Sequence, residues 1–254
     1  SATVYVNGEK VCNHDGGYSA FRCNITPYLN EDNIIKIEVD NSINDKVYPQ
    51  NADFTFYGGI YRDVNLICVD EKHFDLDYYG CNPIKIEPTV KGNNGIVKAT
   101  AYSSSNGKII IEIFDGDGNK ISTIKNGDTA DIKNAHLWNG TEDPYMYRAV
   151  ASLFANGEKV DEVSTNFGFR TYSVDPQKGF FLNGKPYPLR GVCRHQDRPH
   201  IGNALTKAEH EEDIRLIQEI GANTVRLAHY QHDDYFYDLC DKAGLVVWAE
   251  IPYI

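Results

Sequence analysis

Residues 223–230 read Asn-Thr-Val-Arg-Leu-Ala-His-Tyr, a short apolar run that ends abruptly in polar side chains. We predict a buried β-strand over Thr224–Ala228, followed by the polar cluster His229-Tyr230-Gln231-His232. An earlier run, Pro188–Cys193, ends in the same way at the polar cluster Arg194-His195-Gln196-Asp197. Two strands that each run into a histidine-bearing polar cluster indicate a repeated structural unit.

The segment between these two strands has the pattern of an α-helix. Thr206 and Glu209 have the spacing of a capping box, in which each side chain bonds an otherwise unpaired backbone N–H at the helix start. Ile214 and Ile217 fall on one helical face, and Gly221 is placed to end the helix. We therefore predict a helix that packs its apolar face on the strands.

A second helix and a third strand follow. The second helix is predicted to begin at Asp233 or Asp234 and to end at Gly244, and Leu245–Ala249 reads as a third buried strand. Strands alternating with helices indicate parallel βαβ units. Ligands of such units bind at the carboxyl ends of the strands, where the two polar clusters and Glu250 fall. A single histidine is more often structural; two clusters at one sheet edge strengthen the case for a binding site and leave both interpretations open.

Composition excludes some classes of partner. The 254 residues carry a formal net charge of -11 and no basic cluster, so we expect no nucleic-acid partner. No apolar run approaches the ~20 residues of a membrane helix, so we expect no membrane partner.

The cysteines and the chain start bear on the cellular setting. The six cysteines form no C-x-x-C pair, which favours a reduced, cytoplasmic location. The sequence starts without methionine, and its single methionine is Met146, so we expect the true N-terminus to be missing and leave a signal peptide open.

The first two thirds of the chain read as β-structure. Ala2–Val6 is followed by Asn7-Gly8, the strongest short hairpin signal, and Asn33–Val39 reads as another strand. From about residue 71 to 172, strands and turns alternate every eight to twelve residues, the cadence of an immunoglobulin-like sandwich. The turn Asp115–Asn119 resembles the start of a calcium loop but lacks its glycine and glutamate, so a hairpin turn is predicted.

Two long motifs resemble glycoside hydrolase family 2. The run NTVRLAHYQHDDYFYDLCDKAGLVVW from Asn223 to Trp248 resembles the family signature, and FGFRTYSVDPQKGFFLNGKPYPLRGVCRHQDRP resembles the entry to its catalytic barrel. Gln231 departs from the family pattern, which usually has proline there. The resemblance implies a multidomain β plus α/β chain truncated at both ends: a partial jelly-roll sandwich (1–70), an immunoglobulin-like β-sandwich (71–172) and the first βαβαβ units of a TIM (β/α)8 barrel (173–254).

The resemblance also implies roles for particular residues. Asp53 precedes GGIYRDV, which is a strand in family members, and matches an aspartate that binds sugar hydroxyls. His195, Asp197 and His229 match substrate-binding positions. Arg226 matches the arginine that contacts the catalytic nucleophile. Glu250 matches an acidic position with a supporting role.

The resemblance implies a retaining β-galactosidase that removes terminal β-D-galactose from β-galactosides. Both catalytic glutamates of the family follow barrel strands beyond the third, so none is expected in this segment, and we predict the segment alone to be inactive. We expect no metal or cofactor site here, although family β-galactosidases use magnesium and sodium, and a homo-oligomer at full length. A β-glucuronidase of the same family is the nearest alternative, and a non-catalytic carbohydrate-binding module is the alternative of another class.

Overall fold

The chain is described from a computed structural model covering residues 1–48 and 51–252. The last two residues of the predicted barrel segment, Tyr253 and Ile254, lie outside the described residues. The chain forms two compact units. One comprises Ser1–Asn65, Gly191–Leu239 and the residues from Val247 onward, and the other comprises Leu66–Arg190 and Cys240–Val246.

The N-terminal sheet is antiparallel, in the order β2-β1-β3, and consists of β1 (Ala2–Val6), β2 (Glu9–His14) and β3 (Ile35–Val39). Asn7 and Gly8 join β1 to β2 with φ angles of 52° and 88°, the positive values that a tight hairpin turn needs. This confirms the predicted hairpin. A disulfide links Cys12 to Cys23, so the expectation of reduced cysteines is wrong for this pair.

The expected strand at GGIYRDV is absent. Gly59–Val64 has no strand assignment, and Ile60 and Val64 are exposed. An extended segment becomes a strand only when a neighbouring backbone pairs with it. Among the described residues no strand pairs with this segment, so the implied strand is wrong for this structure.

The second unit contains a two-sheet sandwich. One sheet has the order β4-β5-β8 and the other the order β10-β9-β6-β7. The strands are β4 (Ile84–Lys91), β5 (Asn94–Ala101), β6 (Lys108–Phe114), β7 (Lys120–Lys125), β8 (Thr129–Ile132), β9 (Tyr147–Ala155) and β10 (Glu158–Phe167). Alternate residues of both sheets fill the core, among them Val97, Ile111, Leu153 and Phe167. The predicted immunoglobulin-like sandwich is confirmed.

Two further features belong to this unit. The Asp115 carboxylate accepts the backbone N–H of Asn119 at 2.8 Å in the turn between β6 and β7, which confirms the predicted hairpin turn. A small antiparallel sheet follows the sandwich, made of β11 (Tyr172–Asp175), β12 (Gly179–Leu182) and β13 (Lys185–Pro186).

The remaining elements form the predicted βαβαβ sequence. They are β14 (Gly191–Arg194), α1 (Lys207–Glu219), β15 (Thr224–Leu227), α2 (Asp234–Ala243) and β16 (Val246–Ala249). The sheet order is β14-β15-β16, and β14 pairs with β15 in parallel. These strands and helices are the start of a barrel. No helix in the described part of the chain combines the length and hydropathy of a membrane span.

The sequence features predicted to begin and end the first helix are present in α1. The capping box of Thr206 and Glu209 is present at the start of α1, and Ile214 and Ile217 are buried. Gly221 follows the helix at a φ of 72°.

Two strand predictions need correction. The first strand begins at Gly191 rather than Pro188, because its ladder with β15 starts at the pair Gly191 and Thr224. The third strand is not buried throughout, because Trp248 is 66% exposed. Within the described residues, no element packs over the Trp248 side chain enough to bury it.

Candidate functional site

The loop carrying Asp53 meets the ends of β14 and β15 through the ring of Phe54. Ring centroids lie 5.2 Å from His195, 5.3 Å from His229 and 5.4 Å from Tyr230. The rings of His195 and His229 are themselves 5.2 Å apart. Phe54 therefore brings the Asp53 backbone beside both predicted sugar-binding histidines, within one compact unit.

His195 is held from one side by Tyr230. The Nδ1 atom of His195 lies 3.2 Å from the Tyr230 hydroxyl, which also accepts the backbone N–H of Gln196 at 3.4 Å. Tyr230 is only 2% exposed, and its ring stacks on Tyr18 at 4.2 Å with an interplanar angle of 6°. The tyrosine hydroxyl is thus fixed relative to the imidazole.

His229 is positioned through its backbone. It adopts a φ of 70°, which is uncommon for a residue with a side chain, and its N–H donates to Glu250 Oε2 at 2.7 Å. Glu250 also receives two hydrogen bonds from Arg226, at 2.6 and 3.1 Å. The hydrogen bonds from Arg226 hold the pKa of the Glu250 carboxyl below its usual value, so this group stays ionised.

The electrostatics place Asp53 and Asp197 close to His195. Burial lowers the pKa of His195, the charge of His229 lowers it further, and Asp197 and Asp53 oppose that shift. Both carboxylates are exposed, as expected for groups that take hydrogen bonds from a ligand. The structure therefore brings together the four residues for which the resemblance implied substrate contact.

An open cavity lies beside this cluster. Its volume is about 680 Å³, and it is lined by Tyr57, Asp197 and Arg198–Gly202. Two aspartates can only accept hydrogen bonds at neutral pH, whereas histidine offers a donor and an acceptor. The arrangement suits a polyhydroxylated ligand. No set of three or more His, Cys, Asp or Glu side chains has metal-binding geometry within residues 1–48 and 51–252.

Sequence reasoning missed a buried cluster behind the pocket. Arg194 is 6% exposed and donates to Asp213 Oδ2 at 2.8 Å, and it lies 2.9 Å from Nδ1 of both His210 and His232. Burial lowers the pKa of His232 to about 3. The predicted polar clusters thus divide, with Asp197 lining the cavity and His195 half-buried near it, and with Arg194 and His232 in the interior. In the first cluster burial alternates from residue to residue, with Arg194 and Gln196 buried and His195 and Asp197 more exposed.

Arg62 connects the N-terminal loops to the end of β15. Its Nη2 donates to the carbonyl of Gln231 at 2.7 Å, and its Nη1 donates to the carbonyl of Tyr18. The backbone that supports Tyr230 is therefore tied to the backbone of its stacking partner. Neither contact could be inferred from local sequence patterns.

Comparison with known families covers almost the whole chain. Residues 1–69 match the sugar binding domain of glycosyl hydrolases family 2, residues 82–170 match the family's domain described simply as glycosyl hydrolases family 2, and residues 174–254 match its TIM barrel domain. The chain belongs to glycosyl hydrolases family 2.

Relatives in family 2 include two specificities. A β-glucuronidase of Bacteroides fragilis is 41% identical over 100% of this chain and 39% of its own length. A β-galactosidase of Thermoanaerobacter pseudethanolicus is 33% identical over 99% of this chain and 35% of its own length. The FMN-binding β-glucuronidase of Faecalibacterium prausnitzii L2-6 has a similar structure, with a TM-score of 0.96 and 43% identity over 99% of this chain and 41% of that one. The chain therefore spans well under half the length of these family 2 proteins.

Proposed function

We propose that this chain forms the sugar-binding side of a retaining β-glycosidase pocket, and that the whole protein releases terminal β-D-glucuronic acid from β-glucuronides. The observation that carries the glycosidase proposal is the cluster of Asp53, His195 and His229 around Phe54. The choice of glucuronide over galactoside is supported by the 41% identity to a β-glucuronidase against 33% to a β-galactosidase.

In this proposal, each side chain has a role that follows from its chemistry. Asp53 and Asp197 accept hydrogen bonds from sugar hydroxyls, and His195 and His229 contact neighbouring oxygens. A retaining mechanism also needs a nucleophilic carboxylate and an acid/base carboxyl about 5–5.5 Å apart. Both glutamates are proposed to lie outside these 254 residues, so the isolated chain would bind sugar without hydrolysing it.

A β-galactosidase remains the second candidate. Asp53 is exposed beside His195, and a carboxylate there can accept from two vicinal hydroxyls at once, which suits galactose O3 and O4. A glucuronide differs from a galactoside in the configuration at C4 and in its C6 carboxylate, which requires a donor group that the galactoside does not need. The two substrates therefore separate the candidates directly.

The test uses the gene expressed with its natural ends. Turnover of p-nitrophenyl β-glucuronide above that of p-nitrophenyl β-galactoside supports the proposal, and the reverse order favours the second candidate. Asp53→Ala and His229→Ala should each lower kcat/KM by about 10²-fold or more, because hydroxyl groups of the bound sugar would lose their hydrogen-bond partners on the protein. Asp63→Ala is the matched control, because Asp63 is an exposed aspartate ten positions further along the same segment.

Two outcomes would overturn the proposal. Turnover by the isolated 254-residue chain would show that the catalytic carboxylates lie within it. Binding of a sugar without turnover by the protein with its natural ends would favour the non-catalytic carbohydrate-binding module.

A further inference from the structure

The hydroxyl of Tyr230 has two hydrogen-bond neighbours of different character. The backbone N–H of Gln196 can only donate, so the Tyr230 oxygen is the acceptor in that 3.4 Å contact. The hydroxyl hydrogen is then available for the second neighbour, Nδ1 of His195, at 3.2 Å. Donation in this direction requires Nδ1 to be unprotonated.

We propose that Tyr230 is a positioning residue that fixes His195 as the neutral tautomer with its proton on Nε2, so that His195 presents a hydrogen-bond donor to the sugar. That the ligand is a sugar rests on the proposed function, whereas the tautomer of His195 does not. Among residues 1–48 and 51–252, no group bonds to Nε2 of His195, and this side chain is half-buried at the pocket. The Nε2–H group is therefore available to a ligand.

The surroundings of Tyr230 make the hydroxyl a fixed donor. The ring stacks on Tyr18 at 4.2 Å and on His232 at 5.2 Å, and these contacts restrict its rotation. Burial raises the pKa of Tyr230 to about 12, so the hydroxyl keeps its proton at neutral pH. Burial also lowers the pKa of His195, which keeps the imidazole neutral under the same conditions.

The second histidine has a different neighbour. Nδ1 of His229 lies 3.5 Å from Glu250 Oε2, a carboxylate oxygen that can only accept. The Nδ1 atoms of the two imidazoles therefore face opposite hydrogen-bonding groups. Nδ1 of His195 faces a hydroxyl donor, and Nδ1 of His229 faces a carboxylate acceptor. A sugar oxygen facing His195 must accept a hydrogen bond, and its own hydroxyl hydrogen is free to go to a nearby carboxylate such as Asp53.

The tautomer can be measured without any catalytic activity. Long-range ¹H–¹⁵N correlation spectra of the protein with its natural ends, labelled with ¹⁵N at histidine, at pH 7.5 should show His195 with an acceptor-type Nδ1 and a protonated Nε2. In Tyr230→Phe, which keeps the ring and removes the oxygen, the Nδ1 signal should move toward the protonated range. A protonated Nδ1 in the unmodified chain, or an unchanged His195 tautomer in Tyr230→Phe, would overturn the proposal.

Two controls separate this effect from a general structural change. Tyr18→Phe removes the same atom from the stacked partner ring and should leave the His195 tautomer unchanged, whereas an equal shift would show that ring packing and not the Tyr230 hydroxyl sets it. His229 provides an internal reference, since its Nδ1 faces Glu250 in every variant. If the His229 signals also change in Tyr230→Phe, the substitution has altered the fold around the site, and this result would count against the proposal.

A kinetic measurement connects the tautomer to the reaction. In the protein with its natural ends, Tyr230→Phe should lower kcat/KM about tenfold, and Tyr172→Phe on β11, far along the sequence from the site, should change it less than twofold. Unchanged kinetics in Tyr230→Phe would overturn the functional part of the proposal. Absence of turnover in the unmodified protein would instead refute the proposed function, while the spectra would still decide the tautomer.

Discussion

The guanidinium of Arg226 donates two hydrogen bonds to the Glu250 carboxylate, from Nε to Oε1 at 2.6 Å and from Nη2 to Oε2 at 3.1 Å. Oε2 also accepts the backbone N–H of His229 at 2.7 Å. A forked pair fixes both groups in direction as well as distance. The end of β16 therefore determines where the loop after β15 places the His229 imidazole.

Removal of the Glu250 carboxylate should loosen the His229 backbone. In Glu250→Ala, the His229 amide loses its acceptor, and we expect its hydrogen exchange to accelerate about tenfold. Glu219→Ala is the control, since Glu219 forms an exposed pair with Arg215 one turn away on α1. Unchanged exchange at His229 would show that its positive φ does not depend on Glu250.

The buried Arg194 should contribute far more to the free energy of unfolding than the exposed Arg215. Arg194→Met removes one of the two arginine partners of Asp213, the other being Arg198, and takes away the neighbour of two buried histidines, which should destabilise the unit by about 1–3 kcal/mol. Urea unfolding measures the loss. Arg215→Met, which removes an exposed ion pair, should leave the midpoint nearly unchanged. Equal effects of the two substitutions would contradict the assignment of Arg194 to the interior.

Acid should destabilise this unit through His232. The folded pKa is lowered to about 3, whereas an unfolded histidine titrates near its ordinary value of 6.5. Below pH 6.5 the unfolded chain binds a proton that the folded chain does not, so stability falls as the pH is lowered from about 6.5 toward 3. The slope attributable to this one group is about 1.4 kcal/mol per pH unit.

The variant His232→Asn isolates that contribution. Carboxylates with lowered pKa values also weaken the fold in acid, so the comparison must be between slopes rather than midpoints. Between pH 6 and pH 4, the slope of the unfolding free energy against pH should be smaller in the variant than in the unmodified protein. The difference should correspond to about one proton taken up on unfolding. Identical slopes would show that His232 does not stay neutral in the folded protein.

Gly191 should be intolerant of any side chain. A Cβ atom at this position would overlap the carbonyl oxygen and Cγ2 of Thr224 on the neighbouring parallel strand. Gly191→Ala should therefore push β14 away from β15 and destabilise the protein by about 1–3 kcal/mol. Gly17→Ala is the control, since a Cβ there meets nothing within 4 Å. Thermal denaturation compares the two, and similar melting temperatures would contradict the close strand approach.

Local signals predicted local structure well. The Thr206 and Glu209 capping box, the Asn7-Gly8 turn and the apolar face of α1 depend on residues close in sequence, so their patterns were sufficient. The third strand was predicted to be buried, yet Trp248 is 66% exposed, because burial depends on what packs over a strand and not on its own residues.

The candidate site was predictable only in part. Asp53, His195, Asp197 and His229 were found from long motifs, whereas the role of Arg194 required coordinates. Its side chain lies next to that of His195 in sequence but points to the interior, where distant residues from α1 and the loop after β15 meet it. Sequence alone treats both residues as members of one polar cluster.

The contact between Arg62 and the carbonyl of Gln231 joins residues 169 positions apart. A ribosome adding roughly 5–20 residues per second completes Arg62 at least about eight seconds before Gln231. For most of that interval the aromatic loop around Phe54 lacks His195, and until its end it lacks His229 and Tyr230. The candidate pocket is therefore among the last parts of its unit to form during synthesis, and its aromatic rings stay without these partners until then.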